Sequence, residues 1–150
     1  MRAAKAAAIL LAVSFAAIQA IPVSHSNPAA SSDPNAPAAI ANVMRRACYD
    51  CHSNQTRWPW YSFVAPASWL ISRHVTEARQ RLNFSEWDAY ASDPETAAHK
   101  LAEIADQVAT GKMAPCYYQA MHPEARLNRT ERGELIRWAH NKAAAMRASE

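Results

Sequence analysis

The run Cys48-Tyr49-Asp50-Cys51-His52 has residue types and a spacing that could do chemistry. C-x-x-C-H is the attachment signature of covalently bound c-type haem. Two thiols three residues apart can add to the two vinyl groups on one edge of a porphyrin. The histidine that follows then lies under the ring, where an imidazole nitrogen can take one axial position on the iron. We therefore expect one covalent haem c, tethered by Cys48 and Cys51 and ligated by His52.

Two other kinds of site use a C-x-x-C pair, and the rest of the sequence argues against both. A structural zinc site needs four ligands, but the only other cysteine is Cys116 and no second pair exists. A thioredoxin-like motif follows a strand in a βαβ unit, whereas an alanine-rich helical stretch precedes this one. Cys116 then has no partner in the chain, and we expect it to be a buried small residue; the alternatives are an intermolecular thiol and a position close to the haem.

The second axial position on the iron decides what a haem protein does, and three residues are candidates for it. We expect Met113 to be the sixth ligand, because it follows a helix stop at Gly111 and is far along the chain from His52. A thioether ligand raises the reduction potential and favours electron transfer. The alternative ligands are His122, in a His-Pro-Glu-Ala turn, and His74, on an apolar helix stripe. Their competing roles are to brace a turn and to pack in the core.

The N-terminus has the pattern of a secretory signal peptide, which we expect to cover residues 1–20. Arg2 and Lys5 form a basic region, residues 6–18 form an apolar run, and Ala20 is at a suitable cleavage point. The run is shorter than the roughly 20 residues of a comfortable membrane span. The alternative is an uncleaved N-terminal anchor. Export would bring the C-x-x-C-H run to the periplasm, where c-type haem is attached.

Residues 21–36 are rich in Pro, Ser and Asn, which predicts a mobile linker that buries little. Residues 37–150 then have the length of one domain, the haem-binding domain. The chain has 16 basic and 13 acidic residues, and removal of Arg2 and Lys5 leaves 14 against 13. That balance favours neither a nucleic acid nor an anionic surface as partner. Membrane contact is expected only through an uncleaved N-terminus, and the sequence does not identify the redox partner proteins.

Helices must position these residues, and the sequence predicts five helical segments and no strand. The predicted fold class is all-α, a small c-type cytochrome-like helical domain packed around one covalent haem. Apolar periodicity, caps and stops set the limits of the helices. The segments are 37–49, 66–82, a short capped helix at 85–88, one from Asp93-Pro94 to Gly111, and one from the capping box at Asn128.

Two features lie next to the C-x-x-C-H run in these elements. The helix over 66–82 has an apolar stripe, which includes Leu70 and Val75. The segment 53–62 is polar and then densely aromatic. Because Trp and Tyr bury a large area while keeping one hydrogen-bond donor, this loop could wall the porphyrin and reach its propionates. An ordinary aromatic minicore is the alternative.

Several longer segments match a known pattern: residues 48–61, 65–70, 77–79 and 82–87, and then Tyr118 with the run at 122–125. On these segments the chain resembles the haem-binding domain family of short exported bacterial proteins, over roughly residues 40–148. The resemblance implies a helical c-type haem domain outside the cytoplasm and little about a particular reaction. The family usually reads Met-Pro before its Tyr-Tyr pair, where this chain has Met113-Ala114-Pro115.

The leading functional prediction is electron transfer by a monohaem c-type protein with both axial positions filled. No carboxylate pair or nucleophile arrangement indicates hydrolysis, so an electron carrier is favoured over an enzyme. The alternative is a haem-based sensor or a small-ligand-binding, peroxidase-like domain with a displaceable sixth ligand. A third possibility is a binding module that uses the aromatic loop, with haem as a structural core.

Overall fold

The computed structural model describes residues 1–148, and within that range the fold is all-α with no strand. This confirms the predicted fold class. No helix in the described range is long and apolar enough to cross a bilayer. The eight α-helices are α1 (Arg2–Ile18), α2 (Ala38–Ala47), α3 (Tyr49–His52), α4 (Ala67–Arg81), α5 (Asp88–Ala91), α6 (Pro94–Ala109), α7 (Cys116–Met121) and α8 (Arg129–Arg147), and 3₁₀ turns cover Trp60–Phe63, Phe84–Glu86 and Pro123–Ala125.

The hydrophobic core lies mainly between α2, α6 and α8. Met44 of α2, Leu101 of α6 and Leu135 of α8 are completely buried in it. The rings of Phe84 and Trp87 extend this core from the segment that precedes α5. Burial of one such side chain contributes about 1.5–3 kcal/mol. The α2–α6–α8 cluster is therefore the rigid base on which the C-x-x-C-H run is mounted.

The helix ends predicted from short polar signals are confirmed. The side chain of Asp93 accepts a hydrogen bond from the Thr96 amide, and Pro94 occupies the first turn of α6. Gly111, just past the end of α6, has a φ of +72°, a conformation that favours glycine. At the start of α8, Asn128 and Glu131 form the full capping box, with bonds of 2.9 and 3.0 Å.

The structure differs from the sequence prediction at three helices. The first predicted helix is broken at Cys48, whose φ of −127° separates α2 from α3. The short helix expected at 85–88 is a 3₁₀ turn followed by α5, because the Asn83 side chain caps the turn at the Ser85 amide. The unpredicted helix α7 starts at Cys116, which is exposed. The prediction of a buried Cys116 is wrong, because α7 is a single short surface helix with no buried residue.

Residues 24–35, which we call the strap, pack along the domain. The Asn27 side chain donates to the Thr56 carbonyl at 2.8 Å, and the Ser31 amide donates to the Ser85 carbonyl at 2.9 Å. Pro34 is completely buried. The segment buries little, as predicted, since Pro34 is its one buried residue, but several of its polar groups bond to the loops that flank α4. Its mobility stays a prediction. The predicted boundaries at residues 20 and 36 stay predictions.

Arg79 of α4 fastens the strap to the domain. Its guanidinium donates to the Ser26 carbonyl and the Asn27 side chain, both at 2.9 Å. It also donates to the Ser53 carbonyl and the Thr56 hydroxyl, both at 2.8 Å. One side chain thus joins α4, the strap and the segment that follows the C-x-x-C-H run.

Replacement of Arg79 by Met should lower the free energy of unfolding by about 2–3 kcal/mol, because it leaves the buried Ser53 carbonyl without its donor and releases the strap. Arg73→Met is the matched control, since exposed Arg73 bonds to half-exposed Glu77 on the same helix and its loss should cost under about 0.5 kcal/mol. Denaturant titration of the holoprotein followed by circular dichroism measures both. Equal losses for the two variants would contradict the clamp role of Arg79.

Candidate haem site

The C-x-x-C-H run lies at the joint between α2 and α3 and lines an open cleft. Cys48, Cys51 and His52 border a cavity of about 380 Å³. A second cavity of about 320 Å³ shares Cys48, His52 and Met113 with the first. Because the two cavities meet at these residues, we treat them as two lobes of one cleft around the motif.

The wall of the first lobe is the apolar stripe of α4, which includes Leu70, Ile71, Val75 and Ala78. Val75 is buried, whereas Leu70 is 56% exposed. The predicted apolar stripe is present, and its Leu70 side chain borders the cleft. Periodicity identifies the apolar face of a helix but not what covers it. An apolar wall beside two thiols and an imidazole suits a porphyrin.

His52 is held in one tautomer by the end of α4. Its Nδ1 lies 3.1 Å from the Leu82 carbonyl oxygen, and because a carbonyl only accepts, the ring proton is on Nδ1. Burial lowers the pKa of the His52 imidazole, which favours its neutral form. Nε2 therefore keeps an unprotonated lone pair. Ligating histidines commonly donate their other ring nitrogen in this way.

The two thiols do not have the character of redox-active cysteines. Both are free. Burial, aided by the neighbouring Cys51 thiol, raises the pKa of Cys48 to about 12. Burial, aided by the charge of Asp50, raises the pKa of Cys51 to about 11. Thiol–disulfide oxidoreductases depend on a C-x-x-C thiolate with a lowered pKa, so this pair is unsuited to that chemistry.

Asp50, which lies between the two cysteines, ties α3 to other elements through its carboxylate. Its buried carboxylate accepts from the Arg57 amide at 3.0 Å, the Arg57 guanidinium at 3.2 Å and the Tyr118 hydroxyl at 2.7 Å. Burial and the bond to Asp50 strongly raise the pKa of Tyr118, which keeps its hydroxyl a donor. The Thr56 hydroxyl donates to the Asp50 carbonyl at 2.8 Å. The short helix is thus tied to the aromatic loop and to α7.

Tyr49, the other residue between the cysteines, ties α3 to Phe84 and to the strap. Its ring is 3% exposed and stacks on Phe84, with ring centres 5.2 Å apart. Its hydroxyl donates to the Asp33 carboxylate of the strap at 2.7 Å. Both intervening residues of the motif therefore fix the orientation of Cys48 and Cys51.

The three sequence candidates for the sixth ligand all border the first lobe, but their surroundings differ. Met113 is the one of the three that borders both lobes. His122 has both ring nitrogens engaged, with the Tyr61 hydroxyl at 2.8 Å and the Glu124 carboxylate at 3.2 Å. These two bonds mean that the His122 side chain braces the turn at residues 122–125. His74 is half-buried, and its ring lies 5.6 Å from that of Tyr117.

The aromatic loop contributes to the cleft in part. Arg57, Pro59 and Tyr61 border the first lobe. Trp58 instead packs edge-on against the His25 ring of the N-terminal segment, at 4.7 Å. Trp60 is 77% exposed. The loop therefore walls the cleft with some of its residues and forms an aromatic cluster with others.

Two cationic residues at the cleft were missed by the sequence reasoning. Arg81, at the end of α4, borders both lobes, and Lys100 of α6 borders the second. No local pattern marks either one, because charged residues are common on the surfaces of helices. Only the tertiary structure brings them to the cleft, where they could meet the carboxylates of a ligand.

The donor set fits haem: two thiols and an imidazole with a free nitrogen on one wall, an apolar second wall and cations at the opening. In residues 1–148 no cluster of three or more His, Cys, Asp or Glu side chains is arranged to hold a metal ion. The family model of the haem-binding domain matches residues 11–141. The chain belongs to the haem-binding domain family. This confirms the predicted family and haem as the cofactor. No curated protein and no solved structure matches the chain.

Removal of the Tyr118 hydroxyl by Phe substitution should destabilise this haem-binding domain by about 1.5–3 kcal/mol, because the buried Asp50 carboxylate loses a donor. Tyr117→Phe is the matched control. Tyr117 is 61% exposed, and its ring contact with His74 does not need the hydroxyl. Thermal unfolding of the holoprotein should show a lower midpoint for Tyr118→Phe alone. A similar shift in both variants would argue against the anchoring role of Asp50.

Proposed function

We propose that the protein is an exported electron carrier with one covalent haem c. Cys48 and Cys51 are the tether, His52 is the proximal ligand and Met113 is the sixth ligand. The observation that carries the proposal is the bond from His52 Nδ1 to the Leu82 carbonyl. It leaves Nε2 as the ligating atom of a C-x-x-C-H run whose thiols border the same cleft.

The tether forms without net oxidation. Each thiol adds across one vinyl group, so that a C–S bond forms and the thiol proton passes to the neighbouring vinyl carbon. The break between α2 and α3 at Cys48 and the anchors on Tyr49 and Asp50 support this role, because they hold the two sulfur atoms at fixed positions. Preorganisation of the attaching groups lowers the entropy lost on binding.

Bound haem supplies a one-electron couple, and the residues of the chain set the conditions for it. The α4 wall excludes water from the first lobe through Ile71, Val75 and Ala78. Met113 supplies a soft thioether at the meeting point of the two lobes, which favours the reduced state and raises the potential. Arg81 and Lys100 are the candidate partners for the propionates, and redox partner proteins would dock at the open edge of the cleft.

The export part of the proposal rests on the N-terminal sequence. The basic residues Arg2 and Lys5 and the apolar residues of α1 support a secretory signal or an anchor. The periplasm is the compartment in which the C-x-x-C-H run would receive its haem. We expect the protein to work there.

A haem-based sensor with a displaceable sixth ligand is the second candidate, and one observation favours it. The Tyr61–His122 pair puts a hydrogen-bonded phenol and imidazole on the wall of the first lobe. Polar groups beside the iron commonly steer small ligands or their activation. The spectrum of the purified protein separates this function from electron transfer.

Covalent attachment is tested by extraction of the pigment. Protein made with a c-type maturation system should keep its colour through denaturation and acid–acetone extraction, because thioethers survive both. The double replacement of Cys48 and Cys51 by Ala should reduce retained haem more than tenfold, while Cys116→Ala, at an exposed cysteine that borders neither lobe, should leave it unchanged. Complete extraction of colour from the wild type would refute the covalent tether.

The sixth ligand is tested by ferric and ferrous spectra. The wild type should show the far-red methionine-to-iron charge-transfer band. Met113→Ala should abolish the band, lower the reduction potential and open the iron to carbon monoxide, because a soft sulfur ligand is lost. Met121→Ala, at an exposed methionine of the first lobe, is the matched control and should retain the band.

Other spectra would redirect the assignment of the sixth ligand. A high-spin wild type that binds carbon monoxide readily would support the sensor. An unchanged spectrum in Met113→Ala, with changes in His74→Ala or His122→Ala, would mean bis-histidine ligation.

A further inference from the structure

A small apolar surface projects from the end of the aromatic loop and the two residues that follow it, and this surface does not border the haem cleft. Trp60, Phe63 and Val64 are 77%, 59% and 36% exposed, and we call these three residues the knuckle. None of them borders either lobe of the cleft. One face of Phe63 is held by the His25 ring at 4.2 Å, which orders the turn. Single exposed apolar residues are ordinary, but a clustered group marks a contact surface.

Helix α1 ends beside the knuckle. The side-chain amide of Gln19 bonds in both directions with the Ala65 backbone, accepting at 2.9 Å and donating at 3.3 Å. Ala65 is buried and directly follows Val64. Ile21, just after α1, is 53% exposed. The end of α1 is thus tied to the segment that carries the knuckle.

The apolar residues of α1 point in all directions around the helix. Ile9, Leu10, Leu11, Val13 and Phe15 are each more than half exposed, and α1 has no buried residue. At 100° per residue these positions are spread around the whole circumference. A groove on a partner protein would cover one stripe of such a helix, whereas hydrocarbon covers every side. The surface therefore suits a lipid bilayer.

The charge of the surrounding chain agrees with a bilayer. Residues 1–32 and 51–76 contain no Asp or Glu, and their basic residues are Arg2, Lys5, Arg57 and Arg73. The chain around α1 and the knuckle therefore adds no carboxylate that anionic headgroups would repel. The two carboxylates whose charges act on neighbouring Tyr61 are engaged, Asp50 with Arg57 and Glu124 with His122. Trp is also the side chain most suited to the membrane interface, because its ring is apolar and its N–H keeps a polar partner.

We propose that the protein rests on a membrane through two elements, with α1 inserted among the lipids and Trp60, Phe63 and Val64 seated in the adjacent interface. The proposal rests on α1 being retained in the working protein and does not depend on which residue is the sixth ligand. Pro59 and Tyr61 of the same loop border the cleft. Seating of the knuckle therefore holds the haem cleft at a fixed height above the lipid surface, which suits exchange with a membrane-bound redox partner.

The test uses the haem-loaded full chain and vesicles of phosphatidylcholine, alone and with added phosphatidylglycerol. Trp60→Ser combined with Phe63→Ser should weaken vesicle binding about 10- to 100-fold in a flotation assay, because each apolar side chain contributes about tenfold. The matched control, Trp60→Phe combined with Phe63→Leu, keeps the surface apolar and should stay within about threefold of the wild type. Circular dichroism checks that both proteins are folded.

A second measurement needs no substitution. Hydrogen exchange of the amides at 60–64 should slow when vesicles are added to the wild type, while that of α8 should not change. Equal vesicle binding by the serine and wild-type proteins, or unchanged exchange at 60–64, would overturn the proposal. Mass spectrometry that finds only chains starting after residue 20 would overturn it as well, because α1 would then be absent from the working protein. None of these outcomes bears on haem attachment, which the pigment extraction decides separately.

Discussion

The bond between His52 Nδ1 and the Leu82 carbonyl is the constraint on which the haem site depends. Helix α3 is a single turn of four residues, and an isolated helix of that length is not stable in water. Its orientation therefore comes from tertiary bonds: His52 to the end of α4, Asp50 to Arg57 and Tyr118, and Tyr49 to the strap. Each of these partners is distant in sequence or on another element. The motif supplies the ligands, and the surrounding chain supplies their geometry.

The two halves of the domain are stabilised in different ways. The α2–α6–α8 half is a conventional apolar core. The half around α3 and α4 depends on buried polar networks. Asn54 and Asn83, each 4% exposed, bond through their side chains at 2.9 Å, and the Ser85 hydroxyl accepts from the Asn54 amide at 3.0 Å. Paired buried groups such as Asn54 and Asn83 fix one arrangement, because a misplaced buried polar group is costly. A cofactor site benefits from that precision.

The strap is part of this network. Its bonds to Thr56, Ser85 and Tyr49 place the N-terminal segment across the same loops that position the cleft. The family match also begins ahead of the strap, at residue 11. The direction of the chain between α1 and the domain is thus set by the domain, and α1 is brought to the side where the knuckle projects. Membrane seating and haem placement share the aromatic loop because both depend on this one path of the chain.

The sequence by itself determined the all-α class, the haem family and the local ends of helices. The capping box at Asn128, the cap at Asp93 and the stop at Gly111 are readable because each depends on residues only a few positions apart. The C-x-x-C-H run is readable for the same reason. These features depend on short-range patterns, so they can be predicted without knowledge of how the rest of the chain folds.

Which segment packs against each predicted element was decided only by the tertiary structure. The stripe of α4 was predicted from periodicity, but whether Leu70 borders a core or a cleft depends on α7, far along the chain. Contacts between distant segments likewise decide how the strap packs and that Cys116 is exposed. They also place Arg81 and Lys100 on the wall of the same cavity. The hydrogen bond between His122 and Tyr61 also joins distant segments, since the two residues are 61 positions apart. Periodicity and composition describe one segment at a time, so they could not have specified these pairings.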